Sequence, residues 1–289
     1  MEEQVAVIDK EGNIVAVNLA WQVFGEDNGL SPGQSYVDSN YLDVVSASAI
    51  RGDKLAGEAL QGIKNVLDGK QSTFFSEYPC HSPDEKRWFI MRVIALHGDD
   101  SKNLFVISHH SVTQQKLAEE RAMQDSLTGL ANRRAFNLSF NNEIRNSIRN
   151  QMPIGLALID VDHFKLCNDA LGHAVGDKYL TNIAHVLLAH ARRPYDLAAR
   201  VGGDEFALIL PNTGLSDLRE IAESVMKSIR DLNMVIDQSM RVTVSIGLLS
   251  VIADERHDEA FLLGEADKAL YSAKNAGRNQ SVFANLITS

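Results

Sequence analysis

The chain has only two cysteines among its 289 residues, Cys80 and Cys167. Two thiols in separate predicted domains build no disulfide framework and no Cys-rich zinc site. Reduced thiols and a cytoplasmic setting are expected. The sequence also lacks an apolar run of membrane-spanning length, and no signal peptide opens it. An excess of basic residues is missing too: 28 Lys and Arg face 38 Asp and Glu, a net charge of −10. Residues 1–124 carry 11 basic against 18 acidic side chains, and the remainder 17 against 20. Neither part offers the broad basic face that nucleic-acid binding requires. What remains is ordinary globular composition, 45% apolar and 23% charged, in a chain comfortable for two domains.

The densest chemical signal is Arg200-Val201-Gly202-Gly203-Asp204-Glu205-Phe206. Adjacent glycines permit a tight turn and close approach of a ligand. The acidic pair that follows could hold a hard metal ion. Apolar flanks, Leu197 to Val201 and Phe206 to Leu210, read as strands, which places Gly-Gly-Asp-Glu at a hairpin tip. The heptapeptide alone fits an ordinary hairpin equally well.

The surrounding chain reads as alternating strands and helices. Ile154 to Ile159 is a continuous apolar run, a buried strand with Asp160 at its end. Helices are expected from about Asp177 to Arg192, Leu218 to Leu232 and Glu259 to Asn275. Gly277 is a helix stop, and a strand spans Val242 to Leu248. An unpaired carboxylate at a buried strand end is expensive, so Asp160 implies a partner.

These segments together resemble the GGDEF family, the diguanylate cyclases, which condense two GTP into cyclic di-GMP. The likeness spans roughly Asp125 to Ala284. It is carried by Asp125-Ser126-Leu127-Thr128 with Asn132-Arg133-Arg134, by Asp160-Val161-Asp162-His163-Phe164-Lys165, by Asn168 with Gly172-His173 and Gly176-Asp177, by the Gly-Gly-Asp-Glu-Phe signature, by Ser245-Ile246-Gly247, and by Ala266-Asp267 through Asn279. The resemblance implies a central mixed sheet flanked by helices, related to nucleotidyl cyclases and polymerase palms. It implies Asp160, Asp204 and the Val161 carbonyl as ligands of two Mg²⁺ or Mn²⁺ ions, and Asp204, Glu205 and Lys165 as catalytic groups. Phe164, Asn168, His173 and Asp177 match the guanine pocket, and Lys274 and Arg278 the phosphate contacts. An Asp at 177 can accept both N1–H and N2–H of guanine, which adenine cannot supply, so GTP is expected over ATP. Asp162 is expected to shape its loop. Arg193-Pro194-Tyr195-Asp196, six residues ahead of Gly202, matches the family's Arg-x-x-Asp inhibitory site, which grips cyclic di-GMP product. Condensation needs two catalytic domains face to face, so a homodimer is expected. The alternative reading is a non-catalytic receptor of nucleotide or product. No phosphodiesterase module is expected, because the chain ends at Ser289.

Residues before Gln114 read differently. Strands at Val5 to Asp9 and Ile14 to Asn18 flank Lys10-Glu11-Gly12-Asn13, a hairpin signal. Helical stretches follow at Trp21 to Glu26 and Leu55 to Leu67, then strands at Thr73 to Tyr78, Trp88 to Ala95 and Leu104 to His109. This order resembles a PAS domain, with Asp9, Gly12 and Asn18 matching its opening and Ser111-Val112-Thr113 its exit. PAS domains often hold a small molecule in their core. The haem type would need a His on Leu55 to Leu67, and there is none; Cys80 lacks the flavin-adduct setting. His81, His109 and His110 read as surface or strand residues, Trp21 and Trp88 as core anchors, and the ligand stays unknown. The expected organisation is a PAS domain over 1–113, a linker signalling helix over 114–124 with Leu117, Ala118, Ala122 and Met123 as a weak apolar stripe, and a GGDEF domain over 125–289.

Overall fold

The structure, a computed structural model, describes residues 3–29, 31, 36–37, 39–82, 84–96 and 103–285. The chain divides into two compact units, one through Glu120 and one from Arg121.

The first unit contains β1 (Gln4–Ile8), β2 (Ile14–Val17), α1 (Leu19–Asp27), α2 (Tyr41–Ile50), α3 (Lys54–Leu67), β3 (Thr73–Pro79), β4 (Trp88–Leu96), β5 (Leu104–Ser111) and α4 (Thr113–Arg121). Its strands form an antiparallel sheet in the order β2-β1-β5-β4-β3. The first hairpin closes on Asp9, whose carboxylate accepts from the backbone of Glu11 and Asn13, while Gly12 takes φ 92°. Only glycine occupies that region without strain. Asn18 caps α1 by accepting from Trp21 N and also accepts from Val5 N. Helix α2 has no counterpart in the sequence reading. Its apolar face is only partly buried, with Tyr41, Leu42 and Val45 against the core while Val44 and Ile50 lie exposed, so apolar residues on both faces blur its period. Asn40 starts it by accepting from Leu42 N and Asp43 N. α4 carries Leu117 and Ala118 and ends at Arg121, while Ala122 and Met123 lie beyond it.

One polar group sits deep in this unit. His109 is 7% exposed, in contact with the hydroxyls of Tyr78 and Tyr41. The sequence reading placed it as a surface or strand residue; it is on a strand but faces the interior.

The second unit contains β6 (Ala131–Asn132), α5 (Arg133–Asn150), β7 (Ile154–Asp162), α6 (Phe164–Leu171), α7 (His173–His190), β8 (Leu197–Arg200), β9 (Glu205–Pro211), α8 (Leu215–Asp231), β10 (Thr243–Val251), α9 (Glu259–Asn275) and β11 (Ser281–Phe283). The sheet order is β11-β10-β7-β9-β8-β6. Pairing is parallel at β10–β11 and β6–β8 and antiparallel elsewhere, so the sheet is mixed. Helices cover both faces: α7 and α8 pack Leu180, Ile183, Leu187, Val225 and Ile229 on one side, and α5 and α9 pack Phe136, Phe140, Leu262 and Ala266 on the other. Central β7 is therefore apolar along its length until Asp160 and Asp162.

Gly247 explains the close seat of α9. A Cβ there would lie 2.2 Å from Ala266 O and 2.5 Å from Leu270 N, backbone atoms that cannot rotate away. Gly247→Ala should therefore destabilise the unit by at least about 2 kcal/mol through overpacking, lowering Tm by about 4 °C or more. Differential scanning calorimetry of the two proteins checks this, and an unchanged Tm would show that α9 is loosely seated.

His109 gives a second expectation. Burial pushes its pKa down to about 4 from 6.5. Between those values the unfolded chain binds a proton that the folded one does not, so stability is held above pH 6.5 and falls as pH drops toward 4. The loss is on the order of 3 kcal/mol. Both tryptophans, Trp21 and Trp88, lie in this unit, so their fluorescence follows its urea unfolding in the intact chain. The fall should be visibly smaller in His109→Gln; an identical pH profile would remove the buried-imidazole explanation.

Candidate active site

The site forms where β7 ends beside the hairpin tip. Register places Asp160 opposite Glu205 on β9 and Ser245 on β10. Val161 N donates to Asp204 O at 3.1 Å, which holds the tip against the end of β7. The turn of Val201 to Asp204 is closed by Val201 N and Gly202 N donating to Glu205 O. Neither glycine of the signature uses a positive φ. At Gly202 a Cβ would meet the Glu205 carboxylate, 2.3 Å from Oε2, so a side chain there would displace that carboxylate. Gly203 faces open space.

Asp160 is 9% exposed. Burial raises its pKa; Asp204 and Glu205 add to the rise through their charge, and Lys274 opposes it. The Lys274 ammonium from α9 lies 2.7 Å from Asp160 Oδ2. Asp160 is thus paired with Lys274 and feels the charges of Asp204 and Glu205 nearby. Asp162 has a different task. It is 1% exposed and accepts from Thr243 Oγ1 and Ser245 Oγ at 2.7 Å and from Asn279 N at 3.0 Å. These bonds tie β7 to β10 and to the turn after α9.

An ion pair that sequence reasoning left without a role holds the tip from outside. Arg200 donates to Gly203 O through Nε and Nη2, at 3.0 and 2.6 Å, and through Nη1 to Asp125 at 3.1 Å. Burial alone would raise the pKa of Asp125; hydrogen bonds from Thr128 and Arg200 outweigh it and hold the carboxyl below the ordinary range. Both residues stood in recognised motifs, and only their pairing was illegible.

The nucleobase candidates lie on α6 and α7. Asn168 Oδ1 is buried and lacks a hydrogen-bond partner among the described residues. It lies against Gly176, where a Cβ would come within 1.9 Å of it and 3.2 Å of the Phe164 ring. These three are gathered by the structure. His173, Asp177 and Lys165 are exposed on the same helices, and Arg278 is exposed in the turn after α9 with φ 63°. His163 begins α6 in the left-handed region without a side-chain cap, leaving the helix's first N–H groups for another acceptor.

Arg193 and Asp196 meet at the other end of β8. Arg193 N and Nε donate to Asp196 Oδ2 at 2.9 and 3.4 Å, and Nη2 donates to Thr213 Oγ1 at 2.8 Å. The Asp196 side chain is 2% exposed while that of Arg193 is 49% exposed. Asp196 Oδ1 has no partner among the described residues.

The fit to a divalent cation can be judged from the donors. Among the described residues no group of three or more His, Cys, Asp or Glu forms a self-sufficient metal cage. Mg²⁺ characteristically takes one or two carboxylates and leaves its remaining positions to water and phosphate. Asp160 and Asp204 with a backbone carbonyl fit that pattern, and the ammonium already resting on Asp160 shows that the place attracts positive charge.

Comparison with known proteins agrees with this arrangement. The family model described as "Diguanylate cyclase, GGDEF domain" matches residues 122–280, and one described as "PAS fold" matches residues 2–117. Diguanylate cyclase DgcM of Escherichia coli K12 is 38% identical over 195 residues, 66% of this chain and 46% of its own length. Response regulator PleD of Caulobacter vibrioides is 37% identical over 166 residues, 56% of this chain and 36% of its own. The chain thus spans less than half the length of these curated relatives. Among solved structures, the coiled coil and GGDEF domain of DgcB from Caulobacter crescentus, in complex with c-di-GMP, aligns with TM-score 0.55 and 31% identity over 59% of this chain and 90% of that one. Diguanylate cyclase SiaD, in complex with its activator SiaC from Pseudomonas aeruginosa, aligns with TM-score 0.53 and 36% identity over 59% and 65%. An N-terminal PAS fold is followed by a mixed sheet whose strand ends carry the Gly-Gly-Asp-Glu-Phe tip, and the chain belongs to the GGDEF family.

Proposed function

We propose that the chain is a diguanylate cyclase that condenses two GTP into cyclic di-GMP and pyrophosphate. The observation that carries this reading is buried Asp160, paired with the Lys274 ammonium and close enough to Asp204 and Glu205 to feel their charge. Such a cluster is poised for a cation-bearing polyphosphate. Bound there, Mg²⁺ or Mn²⁺ neutralises triphosphate charge and polarises the reacting phosphate.

Asp160, Asp204 and the Val161 carbonyl hold the cation. Lys274 then leaves Asp160 for phosphate oxygens, joined by Arg278 and Lys165, and the uncapped start of α6 offers backbone N–H groups. Guanine rests against Phe164 and Gly176. Its N2–H donates to the unpartnered Asn168 Oδ1, and Asp177 takes N1–H with His173 alongside. Glu205 lies next to the reacting centre to orient the attacking 3′-hydroxyl or accept its proton. Each domain holds one GTP, so the reaction needs two copies face to face, and positioning with charge neutralisation supplies most of the acceleration. The PAS unit (1–113) and the segment 114–124 regulate how the copies meet.

Arg193 and Asp196 form the inhibitory site. A half-exposed guanidinium beside a buried carboxylate with a spare oxygen offers a donor face and an acceptor to one guanine. The solved relative DgcB, in complex with c-di-GMP, supports product binding by this fold.

Incubation of the full chain with GTP or ATP and Mg²⁺, with products identified by mass, tests the activity. Cyclic di-GMP from GTP alone is expected; product binding without turnover would mean a receptor. Asp204→Asn preserves shape and removes charge, and turnover should fall at least about a hundredfold; wild-type turnover in the folded variant refutes the role of Asp204. Arg193→Ala should raise the cyclic di-GMP concentration needed for half-inhibition at least about tenfold, the scale of losing a charged contact, with initial rates within about twofold. Progress curves with added product decide this, and equal inhibition of both proteins removes the inhibitory site.

A further inference from the structure

The N-terminal unit holds a half-open cavity of about 220 Å³. Its walls are largely aliphatic, with Val45, Leu55, Ala59 and Met91 among them. Its polar end is a chain of three side chains. His109 Nδ1 lies 2.6 Å from the Tyr78 hydroxyl, and Nε2 lies 3.2 Å from that of Tyr41. Trp21 packs on the imidazole with ring centroids 5.3 Å apart. Both ring nitrogens are engaged, so the imidazole is not presented as a metal ligand.

The proton count of this chain points to an occupant. The imidazole is neutral, because burial disfavours its charged form. One nitrogen therefore donates and the other accepts. The two phenols and the imidazole own three protons, and the two contacts between them use two. With the ring proton on Nε2, the Tyr41 hydroxyl is left to Met91 Sδ at 3.4 Å, a weak acceptor. With the proton on Nδ1, the Tyr78 hydroxyl is left with no acceptor among the described residues. Either tautomer thus presents one phenol O–H to the cavity, and a buried donor left unpaired is costly.

Charge narrows the ligand further. Among the described residues no Lys or Arg lines the cavity. Asp53 does, and its carboxylate is already engaged in capping α3 through Leu55 N and Ala56 N. An anion would meet no cation there, and a simple ammonium brings no acceptor for the free O–H. An apolar cavity of about 150 Å³ admits benzene, so this one has room for a ring with a substituent. We infer that the cavity binds a neutral, mainly apolar small molecule carrying one carbonyl-type acceptor, held by the phenol O–H that the Tyr41–His109–Tyr78 chain leaves over.

Three probes of one shape test this on the intact chain: acetophenone, α-methylstyrene with CH₂ in place of the carbonyl oxygen, and benzoate. Saturation-transfer NMR and the fluorescence of Trp21 and Trp88 report binding. Acetophenone should bind saturably, at least about fivefold tighter than α-methylstyrene, the scale of one neutral hydrogen bond, and benzoate should bind weakest. Tyr41→Phe/Tyr78→Phe keeps both rings and should bring acetophenone and α-methylstyrene within about twofold. Ala59→Leu fills the cavity and should abolish binding of both. No saturable binding to the folded wild-type chain, equal affinity for the two neutral probes, a preference for benzoate, or discrimination that persists in the double Phe variant would each overturn the inference.

Discussion

The candidate active site depends on one buried carboxylate that has no part in the chemistry. Asp162 is almost fully enclosed, and enclosing a charge without partners costs several kcal/mol. It is compensated by three donors from three places: Thr243 and Ser245 on β10, and the backbone of Asn279 beyond α9. The last of these matters most for function. Arg278 and Asn279 both take positive φ, 63° and 47°, a region that costs roughly 1–2 kcal/mol per non-glycine residue. The turn persists because Asp162 accepts the N–H that this conformation presents. It follows that the C-terminal end of α9 is fixed against β7. Gly247 allows the same helix to approach the sheet within backbone contact. Lys274 therefore arrives at Asp160 by construction.

The hairpin tip is fixed by a second, independent clamp. Arg200 grips the Gly203 carbonyl and Asp125 together, so the tip is tied both to β7 through Val161 and to the segment that opens the unit. Between the clamps stand three carboxylates and one ammonium. Burial is the main cause of the raised pKa of Asp160, and the charges of Asp204 and Glu205 add to it against the pull of Lys274. The backbone of the tip is held by both clamps, so Asp204 and Glu205 stay next to Asp160 at the end of β7.

Much of this could be read from the chain. α9 was expected from Glu259 to Asn275 and is found there, because a clear apolar face ends at the helix-stopping Gly277. β7 announced itself as a continuous apolar run ended by Asp160. Other elements left a weaker trace: α2 carries apolar residues on its exposed face as well as its packed one, and the two-residue β6 and three-residue β11 are too short for periodicity to register. α5 went unassigned, although Phe136, Phe140 and Ile144 recur at helical spacing on its buried face. His109 was expected as a surface or strand residue, and it lies on a strand. Phe105, Ile107 and His109 share one phase of β5, and the first two are plainly core residues, so alternation alone directs the imidazole inward. What sequence could not supply was the pair of tyrosines, 68 and 31 residues away in the chain, that make burial of His109 tolerable.

The two units therefore solve the problem of buried polarity in opposite ways. The GGDEF unit keeps its acidic groups crowded and compensates them with Lys274, Arg200 and fixed backbone donors. Its polar interior is built from charges and their partners. The PAS unit places its deepest polar groups in a neutral relay, Tyr78 to His109 to Tyr41, flanked by Trp21 and aliphatic walls. A neutral relay has no long-range field and is insensitive to ionic strength, whereas a charged site is screened by salt within about 10 Å. An occupant of the first unit would be selected by shape and a single hydrogen bond, independently of the ionic conditions that govern nucleotide binding in the second. A sensor built on such a relay can respond to its ligand without competing for the anions and cations on which the catalytic half depends.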